Sequence, residues 1–247
     1  SSMAANTTGA NNTAVGKSAL GGNTTADENT AVGLCALKLN TTGSQNVAVG
    51  SLALDANTIG CRGVAIGYNA MGANTDGNFN TAVGRSALAT NTTGDNNVSV
   101  GYSSLQNSTT SSGNTSVGLE SMFLNTTGAT NTAMGLCSLR ANTTGDNNVA
   151  VGRGALIAVA GAGNENVSVG FISGCALTTG DNNVTLGYRA GRSLTTGNCN
   201  VLIGPSVNID NGATSNSISI GFNVSTIANA LTFGNADLDS RIAFGAT

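Results

Sequence analysis

The chain has no histidine among its 247 residues, a single proline, 4 % aromatic residues and 9 % charged residues. Without histidine no histidine-based catalytic triad can form, and a zinc site is improbable. Charge this sparse warns against a stable soluble surface, which Asn, Thr and Ser are then expected to carry. The net charge of −3 and the scattered basic residues exclude a nucleic-acid interface of the usual basic kind. No apolar run approaches the roughly 20 residues that span a bilayer; the longest apolar-looking stretch is Ala155 to Ala162. No leader peptide is visible, and the opening Ser1-Ser2-Met3 reads as an artificial start, so neither bears on targeting of the native protein. Low aromatic content and low charge would suggest disorder, but regularly spaced Val, Ile and Leu argue against it.

Glycine is plentiful at 35 residues and falls on a beat. A five-residue box, Asn-(Thr/Val)-small-(Val/Ile/Leu/Met)-Gly, ends at Gly16, Gly33, Gly50, Gly67, Gly84, Gly101, Gly118, Gly135, Gly152, Gly170, Gly187, Gly204 and Gly221. Eleven of the twelve intervals are 17 residues and one is 18. A unit this short encloses no core of its own and must stack on its neighbours, which is the signature of a solenoid. The reading is an all-β parallel β-roll or β-solenoid with 17-residue coils, occupying residues 1–204 in about twelve coils. From Pro205 the Leu column and the turn motif described below are lost, so residues 205–247 read as an irregular C-terminal cap or neck that covers the exposed strand edge.

The box alternates like a half-buried strand. In Asn97-Val98-Ser99-Val100-Gly101 the two valines share one face and the serine takes the other. The expectation is that the bulky residues point inward, and that the small ones form an outer face for close approach of a neighbouring protomer. The glycine permits a positive-φ turn. Four residues later a second apolar column runs Leu20, Leu37, Leu54, Met71, Leu88, Leu105, Met122, Leu139 and Leu156, then fails at Gly174, Gly191 and Asn208. This column is expected to face the same interior as the box valines. Asn-Thr-Thr-Gly follows as a turn signal, and stacked asparagines suggest hydrogen-bonded ladders.

Five cysteines give an odd count. Cys35 and Cys137 share a repeat position six coils apart, about 29 Å at a strand spacing near 4.8 Å, and so cannot pair. The expectation is free, packed thiols. Asp95, Asp146 and Asp181 recur only as Thr-Thr-Gly-Asp and read as turn residues rather than calcium ligands. No catalytic residue, metal ligand or cofactor is assigned, and the chain reads as non-enzymatic.

One column attracts attention as a contact surface. Tyr68, Tyr102 and Tyr188, which are all the tyrosines, follow a box glycine directly, as do Phe171 and Phe222. Lys17, Arg85 and Arg153 share the position. Exposed aromatics along a repeat suit stacking on sugars or on a host receptor; the alternative is packing over the adjoining turn or between protomers.

Asn216-Ser-Ile-Ser-Ile-Gly221 resembles the signature box of trimeric autotransporter adhesin heads. The recurrent Asn-Thr-Ala-Val-Gly…Ala-Leu…Asn-Thr-Thr-Gly is similar to repeats of phage tail fibres and other surface fibres. The resemblance covers about 200 residues and implies a left-handed roll, homotrimeric about a central axis, placed on a virion or cell surface and outside the cell. Adhesin heads use shorter repeats, so the three extra residues here are expected to enlarge one turn. The segment from Phe233-Gly234-Asn235 to Arg241-Ile242-Ala243-Phe244-Gly245 looks like the neck of such a fibre. Independently, one Leu and two Val-like residues per coil bury little apolar area against the entropy of ordering 17 residues, which favours packing of several rolls together.

The function expected is therefore a structural or adhesive fibre segment, partnered by its own copies and by a host-surface glycan or receptor, with no nucleic acid and no membrane insertion. An ice-binding β-solenoid is the alternative. The adjacent threonines of Asn-Thr-Thr-Gly weigh against it, because in a strand they would point oppositely. A polysaccharide-cleaving β-helix lacks an evident set of acids and bases.

Overall fold

The computed structural model describes residues 1–161, 163–235 and 239–243; Phe244 and Gly245 of the expected neck lie outside the described residues. The chain divides into two compact units, Ser1–Thr127 and Gly128–Thr247.

In the first unit each box forms one three-residue strand: β1 (Thr13–Val15), β2 (Thr30–Val32), β3 (Val47–Val49), β4 (Val64–Ile66), β5 (Thr81–Val83), β6 (Val98–Val100) and β7 (Thr115–Val117). Neighbours pair in parallel with equivalent repeat positions opposite one another, as in Ala31↔Ala48 and Ala48↔Ala65. The second unit continues the pattern with β8 (Thr132–Met134), β9 (Val149–Val151), β10 (Val167–Val169), β11 (Val184–Leu186) and β12 (Val201–Ile203). Then come β13 (Asn208–Ile209), β14 (Ile218–Phe222), β15 (Ser225–Thr226), β16 (Ala230–Asn235) and β17 (Asp239–Ala243). The parallel ladder runs from β8 through β12 to β14 and β16, and β17 closes it antiparallel. Within the region expected to be irregular, β14 still keeps the 17-residue register with β12 (Val201↔Ile218). Over the same region the opposite wall becomes a small second sheet, β13 with β15. The protein is an all-β parallel β-solenoid of about thirteen coils with repeats of about 17 residues, and no helix occurs among the described residues.

Backbone bonds hold the turn segments coil to coil as well. The Leu20 and Leu37 N–H groups donate to the carbonyls of Ala36 and Ala53, and those of Thr41 and Thr58 to Thr58 and Thr75. The turns are tight because three positions per coil adopt left-handed φ, in most coils all of them non-glycine, as at Arg62, Asn69 and Met71 (φ 57°, 55° and 51°). The box glycine is a separate case. Its φ of +124° to +154° lies in territory essentially reserved for glycine. A β-carbon on Gly84 or Gly101 would also intrude on the carbonyl of the box glycine in the next coil. Two independent constraints thus keep the period strict.

The strand faces are the reverse of the expectation. Ala31, Ala48, Ala65, Ala82, Ser99 and Ser116, the small middle residues, are fully buried, whereas Val15, Val49, Ile66 and Val117 are exposed. The physical reason is volume. The Leu column is fully buried from Leu20 to Leu156, and it faces the strand's middle position across one narrow interior: a β-carbon on Gly174 would lie 3.1 Å from Ser168 Oγ. A leucine on one wall leaves room for only an alanine or serine on the other, so the β-branched residues turn outward. The small face is therefore not a protomer contact.

Where the Leu column fails, volume is moved rather than lost. Gly174 and Gly191 replace leucines, while Leu177 and Leu194 replace the turn asparagine and are fully buried. Thr185 and then Leu202 enlarge the strand's middle position, and Leu202 Cδ1 comes within 3.2 Å of where a β-carbon on Gly191 would sit. Leu202, the exception among the small residues, is thus explained by Gly191.

Candidate functional site

Most polar residues are consumed by the stack itself. The turn asparagines form one ladder, with Asn40 Nδ2 donating to Asn23 Oδ1 at 3.1 Å, Asn57 to Asn40 at 2.8 Å, Asn74 to Asn57 at 2.8 Å and Asn91 to Asn74 at 2.8 Å. The same Nδ2 atoms also donate to the carbonyl three residues on, as from Asn40 to Gly43. The box asparagines form a second ladder: their Oδ1 atoms accept the backbone N–H one coil later, as from Asn29 to Asn12 and Asn46 to Asn29, both at 2.9 Å. Buried amides are satisfied in this way alongside the apolar Leu column.

A third ladder escapes sequence reasoning. Six residues before the box glycine, wherever the side chain bears an acceptor, it takes the backbone N–H of the equivalent residue one coil earlier. The chain runs Ala10 to Asp27, Asp27 to Ser44, Ser44 to Cys61 (3.3 Å to Sγ), Cys61 to Asn78, Asn78 to Asp95 and Asp95 to Ser112. The second unit repeats it from Ala129 to Asp146, Asp146 to Asn164, Asn164 to Asp181 and Asp181 to Asn198. Asp95, Asp146 and Asp181 therefore act as acceptors for backbone amides.

What remains at the surface is organised in columns. The outward strand positions carry only Thr, Val, Ile, Leu and Met in β1 to β12 and at Ile218 and Ile220 of β14, without one charge. Beside them runs the aromatic column. Tyr68, Tyr102, Tyr188 and Phe222 are about half exposed or more, and Phe171 is half-buried. In the first unit the column is interleaved: the Arg85 guanidinium sits 5.7 Å from the ring centres of both Tyr68 and Tyr102, one coil to either side. In the second unit Arg153 lies 5.7 Å from the Phe171 ring, Phe171 stacks on Tyr188 at 5.6 Å and 8°, and Arg189 lies 5.4 Å from Tyr188. Phe222 takes part in none of these contacts. Cation–π pairs at exposed sites contribute about 0.5–1 kcal/mol each. The ring faces are thus partly covered by neighbours, while ring edges and hydroxyls remain at the surface.

On the other flank of the strand a second relay had no counterpart in the sequence reading. Gln45 Nε2 donates to Glu28 Oε2 at 2.9 Å, Arg62 Nε donates to Gln45 Oε1 at 2.9 Å, and the Arg62 guanidinium lies 5.0 Å from the Phe79 ring centre. The signal available was position alone, since all four stand five residues before a box glycine.

A cavity of about 210 Å³ opens beside Gly154, lined by Leu136, Cys137, Arg153, Ile157 and Ile172. It exists because Gly154 leaves out a side chain that most equivalent positions carry. All five cysteines are free; four are half-buried and Cys199 is exposed, so they are less packed than expected. Burial pushes the Cys175 thiol above its ordinary value, against the opposing pull of Arg189 and Arg192, which keeps it protonated and a poor nucleophile. Burial likewise raises the Asp55 carboxyl, although its own and Ala56 backbone amides and Lys38 pull it down. Among the described residues no group of three or more Cys, Asp or Glu is placed to hold a metal ion. Compared with protein families, with curated proteins and with solved structures, the chain matches none.

Proposed function

We propose that this chain is a non-enzymatic structural or adhesive fibre segment of a virion or cell surface, acting outside the cell. In this reading it assembles as a left-handed homotrimer that supports attachment to a host surface. The observation that carries it is the outward strand face, which in each unit is built of threonine and apolar residues and carries no charge. Within each unit an exposed, uncharged surface of this kind marks an interaction site, and a face that recurs from coil to coil suits a partner that repeats in the same way, namely a copy of itself. Consumption of the Asn, Asp and Thr side chains by inter-coil bonds leaves little for catalysis and much for rigidity. The handedness and the threefold symmetry rest on the likeness of Asn216–Gly221 to adhesin heads. Solution mass tests the reading: a species of three times 24.2 kDa supports it, and a monomer of 24.2 kDa at high concentration sinks it.

Within that fibre, the column of Tyr68, Tyr102, Phe171, Tyr188 and Phe222 is the proposed host-contact stripe. Changing Tyr68, Tyr102 and Tyr188 together to Ala tests it; unchanged attachment by a still-folded assembly removes the stripe from consideration.

A second reading, an ice-binding solenoid, gains from the reversed strand faces. Thr13, Thr30, Thr81, Thr115 and Thr132 now stand outward beside Val15, Val32, Val83, Val117 and Met134, which sets hydroxyls and methyl groups on one face at strand spacing. The two readings compete for the same surface. Thermal hysteresis by a monomeric protein would reverse their order.

A further inference from the structure

The buried asparagines carry a second chemical signature. Nine of them, Asn23, Asn40, Asn91, Asn97, Asn114, Asn125, Asn142, Asn166 and Asn183, begin an Asn-X-Ser/Thr triplet, and all are buried. That triplet is the acceptor for N-linked glycosylation and belongs on accessible loops. Here the acceptor nitrogen is the atom that builds the ladder. Asn40 Nδ2 spends its hydrogens on Asn23 Oδ1 at 3.1 Å and Gly43 O at 2.9 Å. Asn97 Nδ2 spends its own on Asn80 Oδ1 at 3.2 Å and Ser111 O at 2.8 Å, and Asn166 Nδ2 on Asn148 Oδ1 at 3.1 Å and Gly180 O at 2.8 Å.

In the transfer reaction Nδ2 attacks the anomeric carbon of a lipid-pyrophosphate-linked oligosaccharide. The N–C bond forms, the C–O bond to the pyrophosphate breaks, one Nδ2 proton is lost to base and the lipid pyrophosphate departs. The product amide has one hydrogen fewer and a saccharide where the next coil must sit. Folding in turn removes every one of these nitrogens from solvent.

We propose that ladder formation and N-glycosylation are mutually exclusive at these nine asparagines, so that the chain reaches its fold only where oligosaccharyl transfer does not act on the unfolded polypeptide. Four further triplets, at Asn6, Asn11, Asn107 and Asn223, are not buried. Asn6, Asn11 and Asn223 are exposed, so the folded molecule remains an acceptor there.

The test uses the full chain directed through a eukaryotic secretory pathway, compared with the chain made in bacterial cytosol. A control variant silences the nine triplets without touching an asparagine. Thr25, Thr42, Thr93, Thr127 and Thr144 are exposed and change to Ala. Ser99, Ser116 and Ser168 change to Ala, the residue that Ala31, Ala48 and Ala65 already supply in that column, and Thr185 changes to Val to keep its volume. Site occupancy is read by mass spectrometry after enzymatic deglycosylation, and folding by resistance to protease. We expect the secreted wild type to carry glycans on buried asparagines and to lose its protease-resistant fraction. The bacterial protein and the secreted silenced variant keep it, the latter with glycan at Asn223. A protease-resistant wild-type molecule bearing glycan on any of the nine overturns the exclusivity. Secreted wild type that is resistant with all nine bare overturns the claim about where it can fold.

Discussion

Asn91 ends its ladder because the residue one coil later is Ser108. Asn91 Nδ2 donates back to Asn74, but its buried Oδ1 finds no donor, since Ser108 has no side-chain amide to offer and its hydroxyl bonds Ser111 instead. In the neighbouring coils the turn asparagine is followed three residues later by glycine, whose added β-carbon on Gly60 or Gly94 would lie 2.5 Å from that coil's Asn Oδ1. The serine pair replaces the Asn–Gly pair as a unit. Ser108→Asn alone is therefore expected to gain little, whereas Ser108→Asn with Ser111→Gly should gain about 1 kcal/mol or more by satisfying Asn91. Denaturant midpoints of the two single variants and the double variant measure the coupling, expected within about 0.5–3 kcal/mol.

Glycines differ sharply in what they tolerate. Gly101 combines φ +133° with a β-carbon position lodged against the Gly118 carbonyl, so Gly101→Ala should cost about 3 kcal/mol or more. Gly154 has an ordinary left-handed φ of +64° and only Ile172 Cγ1, at 3.7 Å, near its β-carbon position. Gly154→Ala should cost about 1 kcal/mol and narrow the adjoining cavity. Thermal unfolding of the two variants side by side decides; equal losses would contradict the packing described for the box glycine.

The exchange of volume between Gly191 and Leu202 predicts a non-additive pair. Leu202→Ala should cost about 2–5 kcal/mol through the cavity it leaves. Gly191→Ala should also destabilise, because its β-carbon position lies 2.6 Å from Thr185 Cγ2 and 3.2 Å from Leu202 Cδ1. Combined, the two changes should cost less than their sum, since Leu202→Ala removes the contact with its Cδ1 and the added methyl fills part of the cavity, although the contact with Thr185 stays. Strict additivity in urea unfolding would show that the two residues do not share space.

Asp55 gives the fold a pH dependence of known sign. Its carboxyl is raised above 3.8 by burial, so between that value and its folded pKa the native state holds more protons than the unfolded chain. Stability from this group therefore falls as pH rises through that window, and the penalty persists at neutrality. Asp55→Asn should match the wild type below pH 3.8 and melt higher above it. The side chain is only half-buried, so the gain is small; a variant that melts lower at neutral pH reverses the assignment.

The period, the strand positions and the Leu column were all legible because each is a repeated residue type at fixed spacing. The direction of the strand was not. Alternation of period two says that Ala48 and Val49 face opposite ways, not which faces inward, when both are apolar. The Leu column could have decided it: an interior that already holds Leu37 and Leu54 has room for the alanines and not for the valines. The amide-accepting ladder stayed hidden for a different reason. Asp27, Ser44, Cys61 and Asn78 look unrelated by type, yet each presents an acceptor one or two bonds beyond its β-carbon. The aromatic column was visible, but its interleaving with Arg85 and Arg153 was visible only as variation.

The 18-residue interval between Gly152 and Gly170 marks a change of vocabulary. Before it a coil speaks in Leu and Asn, as in Leu139 with Asn142; after it, in Gly and Leu, as in Gly174 with Leu177; the coil between them has Leu156 with Val159. Each coil is legible only to neighbours that use the same words. Duplication or deletion of a whole coil is therefore an allowed edit within one dialect, changing the length of that stretch by one strand spacing, about 4.8 Å. Across Gly152–Gly170 the same edit removes the translator, and the two halves of the text no longer follow from one another.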